Sequence, residues 1–439
     1  MKRIDIAYWL IIISFTLLWL TSEFPFDAPM TVRIFKHAYM QYTGVMATLL
    51  MSVVTIMSLR IPTINHCLDG LDKVYRLHKW LGISALVFAV LHWFGDGIAP
   101  LLAKSGLFAV IETKQMARIH GDHLFSQELR DSAKTIGEIG VYVVILFVSI
   151  ALMDKIPYHL FKKTHKWISV IYLLLVFHSV ILTKEDYWLS AFGLGYGLIM
   201  LLGSLAAIAA LLGKIGASKK TAGKIIKLTP YDDVGVIEAT IEMQPGWPGH
   251  IAGQFAFLTS NNHEGAHPYT ISSDWCAERR QLVFTIKALG DWTNQLRGWL
   301  KLDMPVVVEG PYGDFNFNDK CTRQIWIGAG IGITPFIAKM RDRLHSPDTK
   351  PIDLFVCASD ENARIQRKLE LLAKKANVSI HWYIQEKLSA EKIRQLVPEW
   401  HHASVWFCGP APFGESVKND MRKAGMKRAD FHQELFQFR

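Results

Sequence analysis

The chain is 439 residues long, 50% hydrophobic and 20% charged, with a formal net charge of +9 and a mean hydropathy of +0.18. These figures exclude a disordered chain and a coiled coil, and the length allows two or three domains. The basic balance raises nucleic acid as a partner, but the placement of the charge removes it. Residues 1–213 hold long apolar runs with Lys and Arg between them, whereas 224–439 carries charges every few residues like a soluble α/β sequence.

A bilayer-spanning helix needs about 20 mostly apolar residues. Six stretches qualify: Ile4–Leu20, Tyr39–Leu59, Leu77–Leu102, Ile136–Met153, Trp167–Thr183 and Leu189–Gly213. The first has no small-residue cleavage site and five spans follow it, so it reads as a span and not as a removable signal. Basic residues collect at Lys2 and Arg3, at Arg60, Lys73, Arg76 and Lys79, at Lys155, Lys162, Lys163 and Lys166, and at Lys214, Lys219 and Lys220. The intervening loops are closer to charge balance. The positive-inside rule therefore places both termini and these loops in the cytoplasm. Cys67, Cys276, Cys321, Cys357 and Cys408 all fall on that side without CxxC spacing, as expected of reduced cytosolic thiols.

Histidine is the strongest signal among the spans. His78 and His92 lie fourteen residues apart on span three, and His165 and His178 thirteen apart on span five. Ionisable groups at membrane depth are costly and usually functional. Fourteen helical residues rise about 21 Å and return to within about 40° of the same face. That spacing suits two b-type haems stacked across a bilayer, with His78 opposite His165 near the cytoplasm and His92 opposite His178 near the outer face. Thirteen residues leave a rotation of about 140°, so span five is expected to bend, tighten or begin irregularly at Lys162–Lys166. The alternative is four bundle-facing histidines at helix ends.

Two such pairs on the third and fifth of six helices resemble the ferric reductase / NADPH oxidase superfamily. The resemblance implies an integral protein of a bacterial inner (plasma) membrane whose six helices are fused to a flavin reductase module. The order of elements beyond the spans fits. After a hydrophilic linker, Lys224–Leu228, Val234–Met243, Phe255–Thr259 and Leu282–Ala288 read as short strands separated by Gly, Pro and Asn turns. From Arg323 onward, strands alternate with helices as in a parallel sheet covered on both faces. The expected architecture is thus a multi-domain membrane protein. Residues 1–213 form a six-helix transmembrane haem-binding bundle and 214–223 a linker. Residues 224–318 form an all-β FAD-binding barrel, and 319–439 an α/β parallel-sheet NAD(P)-binding domain.

Gly328-Ala-Gly330-Ile-Gly332-Ile-Thr334-Pro335 stands at a strand-to-helix turn, where glycines let backbone approach a pyrophosphate and the helix offers free N–H groups. His267-Pro268-Tyr269-Thr270-Ile271-Ser272 resembles the family's HPFT flavin signature. The match implies Tyr269 packed on the isoalloxazine, Thr270 bonded near its reactive nitrogen and His267 at the flavin phosphates. Ser272 joins the same segment. Lys287 with Gly290, Trp292 and Thr293 is similar to the second flavin segment, Lys287 facing the FAD pyrophosphate. Glu309–Gly313 resembles the turn closing the barrel, and Cys408-Gly409-Pro410 the nicotinamide-side loop, with the Cys408 thiol beside the hydride path. Phe436 and Phe438 are both candidates for the near-terminal aromatic that covers the flavin in related reductases.

The implied activity is that of an NAD(P)H-dependent oxidoreductase. Its route runs from cytosolic NADPH or NADH to FAD, then to the His78/His165 haem, the His92/His178 haem and an outer acceptor, a ferric species or oxygen. Ser359 stands where NADPH-using relatives often have Arg, so the nucleotide stays open. The loop His120-Gly121-Asp122-His123 is a candidate for attracting a ferric species. Two other readings remain: a relay serving a dedicated periplasmic redox partner, and a membrane haem sensor or transporter regulated by its reductase domain.

Overall fold

The computed structural model describes residues 2–23, 31–105, 124–153, 156–345 and 349–434. Contacts divide the chain into a helical unit that runs to Ile215 and a second unit that begins at Gly216.

Among the described residues, the helical unit contains six helices long and apolar enough to cross a membrane. They are α1 (Lys2–Glu23), α2 (Val32–Met57), α3 (Leu71–Ser105), α4 (Gln127–Leu152), α5 (Tyr158–Leu182) and α6 (Ala191–Leu211). Each overlaps an apolar stretch expected from the sequence; α1 to α5 begin before it, and α6 lies within it. Thr31, Ser126 and Ser190 each accept a bond from an amide three residues on, which ends the string of unpaired N–H groups. The chain is a multi-pass integral membrane protein. Trp9, Leu10, Ile13 and Leu17 on α1 and Leu198, Leu201 and Leu205 on α6 face outward, where lipid replaces water as their surroundings. Helix α2 is the most enclosed, with Met46, Leu49 and Leu50 fully buried. Polar groups inside the bundle pair with one another: Thr48 with Ser179 at 2.7 Å, and Ser52 with Tyr172 at 2.8 Å. Such bonds join helices where no hydrophobic difference from lipid is available.

No break interrupts the helix at Lys162–Lys166: α5 is continuous from Tyr158 to Leu182. Side chains take up the rotation instead. The His165 ring stacks along its own helix on Phe161, at 5.1 Å and 28°. His178 leans across to α4 and bonds the Ala133 carbonyl. Helical-wheel arithmetic treats a side chain as a fixed radial arrow, and imidazoles swing well away from it.

The second unit begins with strands β1 (Lys220–Tyr231), β2 (Val236–Met243), β3 (Phe255–Thr259), β4 (His267–Thr270), β5 (Gln281–Lys287) and β6 (Pro305–Tyr312), ordered β4-β3-β6-β1-β2-β5. Strict alternation of buried and half-buried positions along β5 reflects one wall on the core and one toward the surface. A bridge from Ile271 to Phe284 joins the two ends of the sheet and closes the barrel. Ile225, Ile241, Phe284 and Val308 fill it. A helix, α7 (Asp291–Trp299), follows β5.

Next comes a parallel sheet of β7 (Arg323–Ala329), β8 (Ile352–Ala358), β9 (Ser379–Ile384), β10 (Ala403–Cys408) and β11 (Phe431–Glu434), ordered β11-β10-β7-β8-β9. Its crossovers are α8 (Thr334–Arg343), α9 (Ala363–Lys375), α10 (Ala390–Leu396) and α11 (Ala411–Lys423). Within this unit Arg341 of α8 donates to the Ser272 carbonyl at 2.7 Å, and Lys368 of α9 to Glu238 at 2.9 Å.

Candidate active site

The four membrane histidines meet as two pairs. The ring centres of His78 and His165 lie 5.9 Å apart, and those of His92 and His178 lie 6.1 Å apart. Two imidazoles that held one iron between them through bonds of about 2 Å would have ring centres about 6 Å apart. Both pairs therefore fit an iron between them. Hydrogen bonding points the same way. Nδ1 of His78 bonds the Val54 carbonyl at 3.1 Å, that of His92 the Met40 carbonyl at 2.9 Å and that of His178 the Ala133 carbonyl at 2.7 Å. A carbonyl can only accept, so Nδ1 carries the proton and Nε2 keeps the lone pair a metal needs. The rings occupy space left by glycine. A Cβ on Gly44 would lie 2.9 Å from His92 Cε1, and one on Gly137 would lie 2.2 Å from His178 Cε1.

In the second unit, His267, Tyr269 and Trp292 form an aromatic group. His267 stacks on Trp292 at 5.9 Å and 21°, and on Tyr269 at 6.5 Å and 25°. Tyr269 and Trp292 are half-buried against the barrel core. This gives a flat, partly exposed shelf of the kind a flavin needs. Thr270 ends the strand, buried. Ser272 is turned inward: its amide and hydroxyl bond Val283, its hydroxyl also meets Thr285, and its carbonyl accepts from Arg341. It braces the strand from within. Thr293 likewise acts locally, accepting from the Leu289 and Gly290 amides at the start of α7, and so fixes the turn that presents Trp292. Lys287 extends to Asp360 at 3.5 Å. Both line a cleft of about 130 Å³ together with Thr285, Gly330, Ile331 and Ser359.

The glycine turn and the Cys-Gly-Pro loop, some eighty residues apart, pack directly on each other. A Cβ on Gly332 would lie 2.2 Å from the Cys408 carbonyl oxygen, and one on Gly409 would lie 2.7 Å from Ala329 Cβ. Gly330 has φ +57, the left-handed region that glycine enters freely. Gly328 is tight against Ile333. Thr334 opens α8, its hydroxyl donating to the Ile331 carbonyl at 3.0 Å. Pro335 sits in the first turn, where its missing N–H costs nothing. Pro410 is the N-cap of α11. Cys408 is fully buried, and burial, then the nearby Glu434 carboxylate, hold its thiol well above the ordinary range.

Residues 43–176 match the family described as ferric reductase like transmembrane component, and residues 224–316 match an FAD-binding domain. The chain thus carries a ferric reductase-like transmembrane component and an FAD-binding domain, and it is similar to ferric reductases and NADPH oxidases. It is 27% identical over 242 residues to respiratory burst oxidase homolog protein E of Arabidopsis thaliana, covering 48% of this chain and 24% of that protein. It is 24% identical over 330 residues to dual oxidase 2 of Sus scrofa, covering 69% and 20%. It is 31% identical over 142 residues to ferric reduction oxidase 3, mitochondrial, of Arabidopsis thaliana, covering 29% and 19%. The matched stretches span less than two thirds of these relatives' own lengths.

In this ferric reductase-like chain, Phe436, Phe438 and the 120–123 loop lie outside the described residues. Three features were not anticipated from the sequence. Gly44 and Gly137 clear the histidine rings; small residues on α2 and α4 were their only signal. Glu434, 2% exposed, stands in register beside Cys408 across β10 and β11. Asp360 meets Lys287 across 73 positions of chain. The sequence offers Glu434 only as the acid two residues before Phe436, and Asp360 lies in no motif.

Proposed function

We propose that the chain is a transmembrane flavohaem oxidoreductase. It passes electrons from cytosolic NAD(P)H through FAD and two bis-histidine haems to an acceptor beyond the membrane, a ferric species or oxygen. The observation that carries this reading is the pair of facing imidazole couples at 5.9 and 6.1 Å, three of the four rings oriented by backbone carbonyls. The FAD-binding match at 224–316 supplies the other half.

Bound FAD and haem would supply the conversion of a two-electron hydride into single electrons. The protein's part is placement. His78 and His165 would hold one iron, and His92 and His178 the other. Tyr269, with His267 and Trp292 stacked beside it, would support the flavin ring, and Thr270 would stand at its edge. The turn from Gly328 to Thr334 would present backbone N–H groups to a dinucleotide pyrophosphate at the start of α8. Cys408 stays a neutral thiol, so it would shape the nicotinamide side by contact and not by nucleophilic attack. The basic loops and the reductase unit would share the cytosolic face, following the positive-inside rule.

The test is spectroscopic. Purified protein should show a Soret band and two haems per chain, and His92→Ala with His178→Ala should keep half of that haem and all of the flavin. Absence of a Soret band, or full haem retention in the double variant, would refute the reading.

A further inference from the structure

The sheet order decides how a dinucleotide must lie. Strand β7 carries the glycine turn, with β10 and Cys408 on one side and β8 on the other. If the nicotinamide meets the flavin at the Cys408 side, the adenosine half is directed over the end of β8. There the chain reads Ala358-Ser359-Asp360-Glu361. Register pairs Gly328 with Val356 and Ala329 with Cys357, so Ser359 and Asp360 come just beside the turn. Gly330, Ile331, Ser359 and Asp360 share one cleft.

Charge in that cleft is already committed. The Asp360 carboxylate accepts from the Ser359 hydroxyl at 2.7 Å and faces Lys287 at 3.5 Å. Lys368 is bound to both oxygens of Glu238, at 3.0 and 2.9 Å, and Arg341 lies 3.8 Å from the same carboxylate. Arg364, the next cation along, lies over the Tyr231 ring at 5.1 Å. A 2′-phosphate would bring about two negative charges up against the Asp360 carboxylate, and the three cations that line the cleft, Lys287, Arg341 and Lys368, already face Asp360 and Glu238. A ribose 2′-hydroxyl instead donates well to a carboxylate.

We propose that Asp360 selects NADH over NADPH, accepting from the adenosine ribose hydroxyls and repelling a 2′-phosphate. The proposal rests on reading the glycine turn as the dinucleotide site. It differs from what the superfamily's name suggests about the electron donor.

Full-length protein in detergent, loaded with FAD, tests it by two readouts: calorimetric binding of NAD⁺ against NADP⁺, and anaerobic bleaching of the flavin by NADH against NADPH. Wild type should favour the non-phosphorylated nucleotide by at least about tenfold in both. Asp360→Asn, which also frees Lys287, should cut that ratio at least about tenfold, mainly by improving NADP⁺ binding. Glu361→Gln should leave the ratio unchanged, because Glu361 does not line the cleft. Asp360 is about half-exposed, so the variant should melt with wild type. A wild-type preference for NADPH, or an unchanged ratio in Asp360→Asn, overturns the proposal. If neither nucleotide binds, the dinucleotide reading itself falls and the role of Asp360 falls with it.

Discussion

At Gly332 a single hydrogen does the work of a side chain, because a methyl group there would strike the Cys408 carbonyl at 2.2 Å. Backbone cannot yield as a flexible side chain does, so Gly332→Ala should part the glycine turn from the Cys-Gly-Pro loop. A shift of about 1 Å at a reacting centre costs on the order of a hundredfold. Stopped-flow reduction of the flavin by NADH should slow by that order, while the Soret band stays unchanged. Thiol chemistry offers a second check. Hydrogen bonds from the Arg279 backbone and side chain hold Cys276 below the usual thiol range. Burial pushes Cys357 up to about 12, and burial with the nearby Glu434 carboxylate holds Cys408 well above the ordinary range. Each unit of pKa is a tenfold change in thiolate, so Cys357 should carry about a thousandfold less of the reactive form than an ordinary thiol. Mass mapping after brief iodoacetamide treatment at neutral pH should find Cys276 alkylated, and Cys357 and Cys408 intact. Early labelling of Cys408 would mean its surroundings are not as described.

At the level of elements, α2 and α4 act as glycine-notched walls for the rings of α3 and α5. Gly137→Ala puts a methyl 2.2 Å from His178 Cε1. The ring must then move off the Ala133 carbonyl, and the variant should retain about half the haem, as overpacking displaces a ligand without unfolding the bundle. Between β6 and β7, Asp319 serves as a polar anchor. It accepts from Gln324, the Ser404 hydroxyl at 2.8 Å, the Cys321 amide at 2.8 Å and Lys350 at 3.1 Å. Burial alone would raise its pKa, but these donors outweigh that, and the carboxyl sits below its usual range. A depressed folded pKa stabilises above the unfolded value and is lost as pH falls through the folded one. Asp319→Asn should therefore cost about 1–3 kcal/mol near neutrality, and thermal melts should show the gap narrowing below about pH 4. A gap independent of pH would remove the ionised carboxylate from the explanation.

Elements also show what the sequence could reveal. Six apolar runs, the two histidine spacings and the glycine turn were readable because each is a local pattern with its own periodicity. The course of α5 was not, since two rings on one regular helix can leave in different directions. Edge strand β11, which sets Glu434 beside Cys408, was missed because four residues carry too little pattern to declare a strand. The Lys287–Asp360 contact depends on how the barrel and sheet of the second unit fold together, which no local window contains.

For the whole molecule, the proposed function would make the +9 net charge a record of orientation, and the apolar half the medium that electrons would cross. Under the proposed function, electrons would cross the bilayer by way of both histidine pairs. Sealed, anaerobic proteoliposomes test it most directly, with NADH outside and an impermeant ferric chelate enclosed. Only molecules whose reductase unit faces outward reach the nucleotide, so reduction of the enclosed chelate reports transmembrane flow alone. Wild type should oxidise NADH and reduce the chelate together, and His92→Ala with His178→Ala should keep flavin reduction but lose the chelate signal. Undiminished chelate reduction in that variant, or none in wild type carrying its full flavin and haem, would contradict the account.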